Sequence, residues 1–567
     1  MTAGRKPPRF PPAIPESSPL ETLALAALVA VAAAGFSLWL TGELAGRIFG
    51  GSWPSLGAGE MGRVLARFAD HAGNPGEAWP PSERHLIPGP AAFYTTLGLV
   101  LSPLVGAGFA LLRRRQGTAT NGEAAARWAR ARDLRSLRIR EPQPGRLTLG
   151  LVDSKLVAAE PRQSVIVIGP VQTGKTTGFA IPAILEWQGP VVATSVKTDL
   201  LRETIAARSA ISDAHVWVYD PTGGTGKKTA GWTPLASCKT WQGAQRVAAW
   251  LSSSAHHGGH GVENAAFWYA AAAKLLAPIL FAAAISDKTM ADVVRWVDAQ
   301  SQEDVFDVLE ASGVDAAMTA FQASKLRDDR TRSGVYTTAE TVLAAYADPG
   351  VLKSALRSEL RADRLLDGGH HTAYLCAPSH EQRRLQPLFA TLVQEIVAAA
   401  YERATATGDP VNPPLLLVLD ECANIAPLRE LATLASTGAG QGIQLVSVFQ
   451  DMAQINAVYG RDRAPTIVSN HRAKVILSGI ADAQTLDYVA RLLGDEEIRQ
   501  VSSTSAAEGR RSTTESVAYR GLVPANVLRE MRPGHGLLVY GHLAPARIAL
   551  RPWFKDRRLR HLGAAVT

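Results

Sequence analysis

The chain has 567 residues, room for three or four folded units at roughly 100–200 residues per domain, which excludes a single small module. Hydrophobic residues make up 46% and charged residues 19%, with 14 Phe, 12 Trp and 11 Tyr, a balance too apolar for a wholly disordered or fibrous chain. The net charge of +8 admits nucleic acid, an anionic membrane face or topology signals as its cause, while three widely separated cysteines (Cys238, Cys376, Cys422) argue against a disulfide scaffold or zinc module and suit a reducing compartment.

Residues 23–40 form a run of 18 without a charge, just long enough to cross a ~30 Å hydrocarbon core as a helix. A second run, 91–112, has 22 uncharged residues and includes Pro103, which membrane helices tolerate. Arg5, Lys6 and Arg9 precede the first run and Arg113, Arg114 and Arg115 follow the second, so the positive-inside rule puts both outer ends in the cytoplasm and residues 41–90 in an extracytoplasmic loop. The competing reading of the first run is a cleaved signal sequence, whose apolar core is usually shorter, ~7–15 residues. For the second run it is a buried core helix, disfavoured by the triple arginine at its end.

From 113 to 140 nine arginines face only Glu123 and Asp133, a net +7; the first ten residues add +3 and residues 551–561 add +4, so the remainder carries −6. The basic excess therefore marks first the cytoplasmic side of a membrane, where each arginine near the surface favours anionic lipid by ~1 kcal/mol.

Ser164-Val-Ile-Val-Ile168 predicts a short buried strand. It runs into Gly169-Pro170-Val171-Gln172-Thr173-Gly174-Lys175-Thr176, a match to GxxxxGK[ST], and then into a predicted helix from Thr177. Gly169 and Gly174 let the backbone curl so that amide N–H groups point at phosphate oxygens. Lys175 supplies charge to the β- and γ-phosphates, Thr176 a hydroxyl to Mg²⁺, and Thr177 an α-phosphate contact. Far downstream, Leu415-Leu-Leu-Val-Leu419 predicts a central parallel strand ending in Asp420-Glu421. Asp420 is expected to hold the metal and Glu421 to orient and polarise the attacking water. Further strands are predicted at 191–195, 216–219, 372–376, 443–449 and 473–477, interleaved with helices as in a doubly wound α/β sheet. Gln450, at the carboxyl end of its strand, is a candidate γ-phosphate sensor, although a strand-end Gln is also a common polar cap. Between 240 and 365 the chain turns Ala-rich and helical, an all-α insertion. His256-His-Gly-Gly-His260 at its entrance invites a metal reading, but the glycines leave the histidines unorganised and favour a loop.

This order of elements resembles the type IV secretion coupling proteins of conjugation, the VirD4/TraG-like family. The resemblance rests on the two apolar helices, the phosphate loop, Ser195-Val-Lys-Thr-Asp199, Trp232-Thr-Pro-Leu235, Asp420-Glu421-Cys-Ala-Asn-Ile-Ala-Pro-Leu428, Val448-Phe-Gln-Asp-Met-Ala-Gln454 and Tyr459-Gly460. It implies a RecA-like P-loop ATPase with a mostly parallel sheet, an inserted all-α domain and an N-terminal two-helix transmembrane anchor. It implies ATP and Mg²⁺ as cofactors, and a homo-hexamer in the bacterial cytoplasmic membrane with both termini and the ATPase in the cytoplasm. The implied partners are relaxase-bound single-stranded DNA, protein substrates and the secretion channel. On this resemblance Lys175, Glu421 and Gln450 are catalytic, 169–177 hold nucleotide, and Thr176 and Asp420 hold the metal. The expected layout is an anchor over 1–112, a basic linker 113–145, a nucleotide-binding domain in two parts (146–239 and 366–550) around an all-α domain 240–365, and a basic tail 551–567. One departure stands out. Where many family members carry a candidate arginine finger, this chain reads Ser436-Thr-Gly-Ala439-Gly-Gln-Gly442, so either another residue such as Arg472 or Arg461 takes that role or turnover is slow. Two alternatives remain at this point: an FtsK-like DNA translocase, for which no winged-helix DNA reader is seen after Arg551, and a nucleotide-binding scaffold with little hydrolysis.

Overall fold

A computed structural model describes residues 19–116, 126–195, 198–255, 265–505 and 511–564. The basic residues before 19, positions 196 and 197 of the Ser195–Asp199 segment, and His256, His257 and His260 lie outside the described residues. The chain divides into two compact units, 1–124 and 125–567.

In the first unit both apolar runs lie within long helices, Pro19–Phe49 (31 residues) and Pro90–Gln116 (27 residues, with Pro103 inside). At ~1.5 Å rise per residue each exceeds a ~30 Å apolar layer. A shorter helix, Ala58–Phe68, lies between them in the chain, its start closed by the Glu60 carboxylate accepting the Gly57 N–H at 3.2 Å. Trp79 is fully buried and meets Phe93 edge to face with ring centroids 5.4 Å apart, anchoring a small core with Ala45 and Val64.

The second unit is built on thirteen strands: β1 Thr148–Val152, β2 Lys155–Ala158, β3 Val165–Ile168, β4 Val191–Ser195, β5 Val216–Tyr219, β6 Thr372–Cys376, β7 Leu415–Leu419, β8 Ile443–Phe449, β9 Ala473–Leu477, β10 Asp495–Ser505, β11 Arg511–Gly521, β12 His535–Tyr540 and β13 Ala546–Ala549. Eleven form one sheet in the order β2-β1-β13-β12-β9-β3-β8-β7-β4-β6-β5, and β10–β11 stand apart as a hairpin. From β9 to β5 every neighbour is parallel; β12, β13, β1 and β2 extend the β9 edge antiparallel. The fold is thus α/β with a mostly parallel central sheet.

The central strands have no polar face because both faces are covered. Ile166 and Ile168 of β3, and Leu415, Leu417 and Leu419 of β7, point into one apolar core; their alternates Val165, Val167, Leu416 and Val418 point into the other. The inserted helices occur between β5 and β6, with Trp241–Ala255, Ala265–Ile285 and Asp329–Leu343 the longest. Helix 265–285 is long and apolar enough to cross a membrane, yet 67% of its most apolar window is buried, so it is a core helix of the insertion. The insertion shares one continuous core with a face of the sheet. Trp232 belongs to that shared core: its ring meets Tyr219 at 5.8 Å, and its indole N–H donates to Glu395 Oε2 at 3.1 Å on helix Gln382–Thr407. Burial pushes the Glu395 carboxyl above its ordinary range.

Residues 551–564 are also built in. Pro182 has no N–H to give to the carbonyl of Gly178, and that carbonyl instead accepts the Arg551 N–H at 3.3 Å, while Trp553 N–H donates to Thr177 O at 3.0 Å. Arg551 is buried and forks onto Glu186 at 3.1 and 2.9 Å, and a short helix, Arg557–Ala564, follows.

Candidate nucleotide and magnesium site

The C-terminal ends of β3, β8 and β7 lie side by side at the middle of the sheet, where open α/β sheets place their ligands. Out of β3 the chain enters the loop 169–176. Gly169 has no room for a side chain, since a Cβ there would lie 2.8 Å from Leu477 Cβ, and Gly174 has φ +91°, in the left-handed region that L side chains rarely adopt. Lys175 Nζ donates to the carbonyls of Gly169 (2.5 Å) and Pro170 (2.7 Å), and Thr173 Oγ1 donates to Pro170 O at 2.8 Å. Gln172 also sits at positive φ, and Val171 is exposed at the tip. The helix that follows opens with a π-helical turn, Thr176–Ala180, before Ile181–Glu186. Such turns favour functional sites.

Thr176 Oγ1 donates to Asp420 Oδ2 at 2.9 Å across 244 positions of sequence. Asp420 is 6% exposed, and Thr194 Oγ1 on β4 holds its carbonyl at 3.1 Å. Burial first, then the neighbouring Glu421 carboxylate, pushes Asp420 up to about 6, against the pull of the Thr176 hydrogen bond and Lys175. A hydroxyl beside a buried carboxylate is the hard-oxygen pair that Mg²⁺ takes, so the residues fit that ion. Gln450 directly follows Phe449, whose carbonyl accepts the Gly169 N–H at 3.1 Å; its own N–H is held by Gln454 Oε1 at 2.9 Å.

Glu421 is placed differently from what its neighbour suggests. Its backbone is left-handed (φ 53°, ψ 50°), and its carboxylate accepts from Asn424 Nδ2 at 3.1 Å. Gln386, from helix Gln382–Thr407, is 2% exposed and reaches the same turn. Sequence reading did not single out Asn424 or Gln386: Asn424 is one polar residue in a short apolar turn, and nothing local marks Gln386.

Ala439 sits in the turn Gly438–Gln441 before the start of β8, the strand end opposite Gln450. Arg472, just before β9, pairs with Glu160 at 3.3 Å and stacks over Tyr540 at 5.5 Å. Arg461 is exposed after helix Met452–Tyr459 and makes no ion pair among the described residues.

Phosphate-loop sequence, buried Asp–Thr pair and mostly parallel central sheet thus come together at the carboxyl edge of one α/β domain. The chain belongs to the type IV secretory system conjugative DNA transfer family, whose model matches residues 124–566. It is 25% identical over 397 residues to the conjugal transfer protein TraG of Agrobacterium fabrum, covering 67% of this chain and 59% of that protein. It is 24% identical over 429 residues to VirD4 of the same organism, covering 70% and 59%. The chain thus spans about three fifths of these relatives. The bacterial conjugative coupling protein TrwBdeltaN70 superposes with a TM-score of 0.59 at 19% identity, covering 76% of this chain and 94% of the other; the same coupling protein, solved in complex with ADP and Mg²⁺, gives 0.57 at 18%, covering 76% and 94%.

Proposed function

We propose that the chain is a membrane-anchored ATPase that couples relaxase-bound single-stranded DNA, or protein substrates, to a type IV secretion channel and powers their transfer. The observation that carries this is the 2.9 Å bond from Thr176 to the buried Asp420 beside the Lys175 loop, in a chain of the conjugative-transfer family. The TrwB complex with ADP and Mg²⁺ supports ATP and Mg²⁺ as the ligands.

In this reading Lys175 exchanges its two carbonyl acceptors for β- and γ-phosphate oxygens, and the N–H groups of 169–177 bind the rest of the phosphate chain. Thr176 and Asp420 would hold Mg²⁺, which would supply positive charge against the phosphate chain. Glu421 takes the proton of the attacking water, and Gln450 contacts the γ-phosphate and reports its loss to helix Met452–Tyr459. A homo-hexamer, in which an arginine of a neighbouring copy supplies the cation that Ala439 does not, is the assembly proposed. The two long apolar helices support a double-spanning anchor in the bacterial cytoplasmic membrane, with both termini and the ATPase in the cytoplasm.

Ala439 favours a second reading, a scaffold that binds nucleotide with little turnover. Glu421→Gln separates the two: removing a general base costs about 10²–10⁴-fold in rate. The ATPase reading expects that loss in single-turnover hydrolysis, with MgATP still bound. Turnover unchanged by the substitution would remove Glu421 from the mechanism.

A further inference from the structure

Resting on the ATPase reading, we infer that Asn424 and Gln386 are the positioning residues that set the Glu421 carboxylate for attack. Glu421 follows a fully extended, fully buried strand and must leave its direction at once. It does so in a left-handed conformation, which costs a non-glycine residue about 1–3 kcal/mol and persists only where the surroundings enforce it.

The enforcement is visible from three sides. The Glu421 carbonyl accepts the N–H groups of Asn424 (2.9 Å) and Ile425 (3.2 Å), closing a turn of one helical winding over Cys422–Ile425. The Asn424 side chain closes the same ring in the opposite sense, its Nδ2 donating to Glu421 Oε2 at 3.1 Å. Gln386 then fixes the far side of the turn, its Nε2 donating to the carbonyls of Ala423 (3.1 Å) and Asn424 (3.2 Å). Two carbonyl acceptors require the NH₂ end of the Gln386 amide there, so the side chain ties two successive peptide groups of the turn to its helix. An amide donor on Oε2 fixes the direction in which the Glu421 carboxylate points.

Gln386 lies on the helix that also carries Glu395, the acceptor of the Trp232 indole at the root of the inserted helices. The turn that aims Glu421 is therefore held by an element packed on the all-α insertion.

The test is kcat and KM for ATP in the full chain, with Asn424→Ala, Asn424→Asp, Asn424→Ser and Gln386→Ala set beside Glu421→Gln. Asn424 is half-buried, so each replacement fits, and Asp keeps its shape while putting a second negative charge against Glu421. The expected result is a 10–100-fold loss of kcat for Ala with KM within twofold, a larger loss for Asp, partial rescue by Ser, which can still donate, and no added loss when Asn424→Ala is combined with Glu421→Gln. Wild-type kcat in Asn424→Ala and Asn424→Asp, or a loss that adds to that of Glu421→Gln, overturns the inference while leaving the ATPase reading intact. Hydrolysis indifferent to Glu421→Gln overturns both.

Discussion

Burial disfavours the charge on Asp420. Its folded pKa, pushed up to about 6 by burial, lies above the ~4 of an exposed aspartate, so between these values the folded nucleotide-free chain holds a proton that the unfolded chain has released. Stability of the nucleotide-free protein therefore falls as pH rises from ~4 to ~6, and above 6 the whole penalty, on the order of 3 kcal/mol, is present. Asp420→Asn removes the titration and keeps an acceptor for Thr176. It is expected to raise the melting temperature of the nucleotide-free chain at pH 7.5 and to leave it unchanged at pH 4; a lower melting temperature at pH 7.5 contradicts this. The same protonation competes with Mg²⁺, so Mg²⁺-dependent nucleotide binding weakens as pH falls through about 6.

Among elements, the docking of the chain's end onto the phosphate-loop helix makes a prediction that a free basic tail does not. Arg551 and Glu186 are 6% and 5% exposed, and removing one partner of such a pair leaves the other buried and unpaired, at a cost of about 3–5 kcal/mol. Arg551→Ala is expected to lower the melting temperature by several degrees, and Arg551→Met with Glu186→Gln to restore most of it; thermal scans that do not respond to Arg551→Ala refute the docking.

The same scale shows what the sequence could carry. All seven parallel strands were readable, because a strand buried on both faces is a short unbroken apolar run such as Leu415–Leu419. The antiparallel strands were not: in the edge, β1 contains a glycine, β2 begins on an exposed lysine, and the short apolar β12 and β13 went unread; in the separate hairpin, β10 and β11 are ribbons of mostly polar residues. In the site, the contiguous loop 169–177 and Asp420-Glu421 announced themselves by spacing. The carbonyls of Thr177 and Gly178 in the π-helical opening find donors 376 and 373 residues later, and the Gln386 contact spans 37 and 38 positions, distances at which one sequence has no periodicity to offer.

For the whole molecule, the two-span reading makes the loop 41–90 the only part of the described chain outside the cytoplasm. The three native cysteines are all buried and unpaired, so a single introduced thiol reports cleanly. Ser55→Cys is expected to react with a membrane-impermeant maleimide in intact cells, and a cysteine at exposed Lys555 to react only after the membrane is opened; the reverse pattern inverts the topology. The central claim, that this is a motor, is tested most directly by steady-state ATP hydrolysis of the full chain in lipid nanodiscs, with and without single-stranded DNA, for wild type and Glu421→Gln. The expected result is Mg²⁺-dependent turnover that DNA accelerates and Glu421→Gln abolishes; turnover that neither DNA nor a protein substrate changes and that survives Glu421→Gln would contradict it.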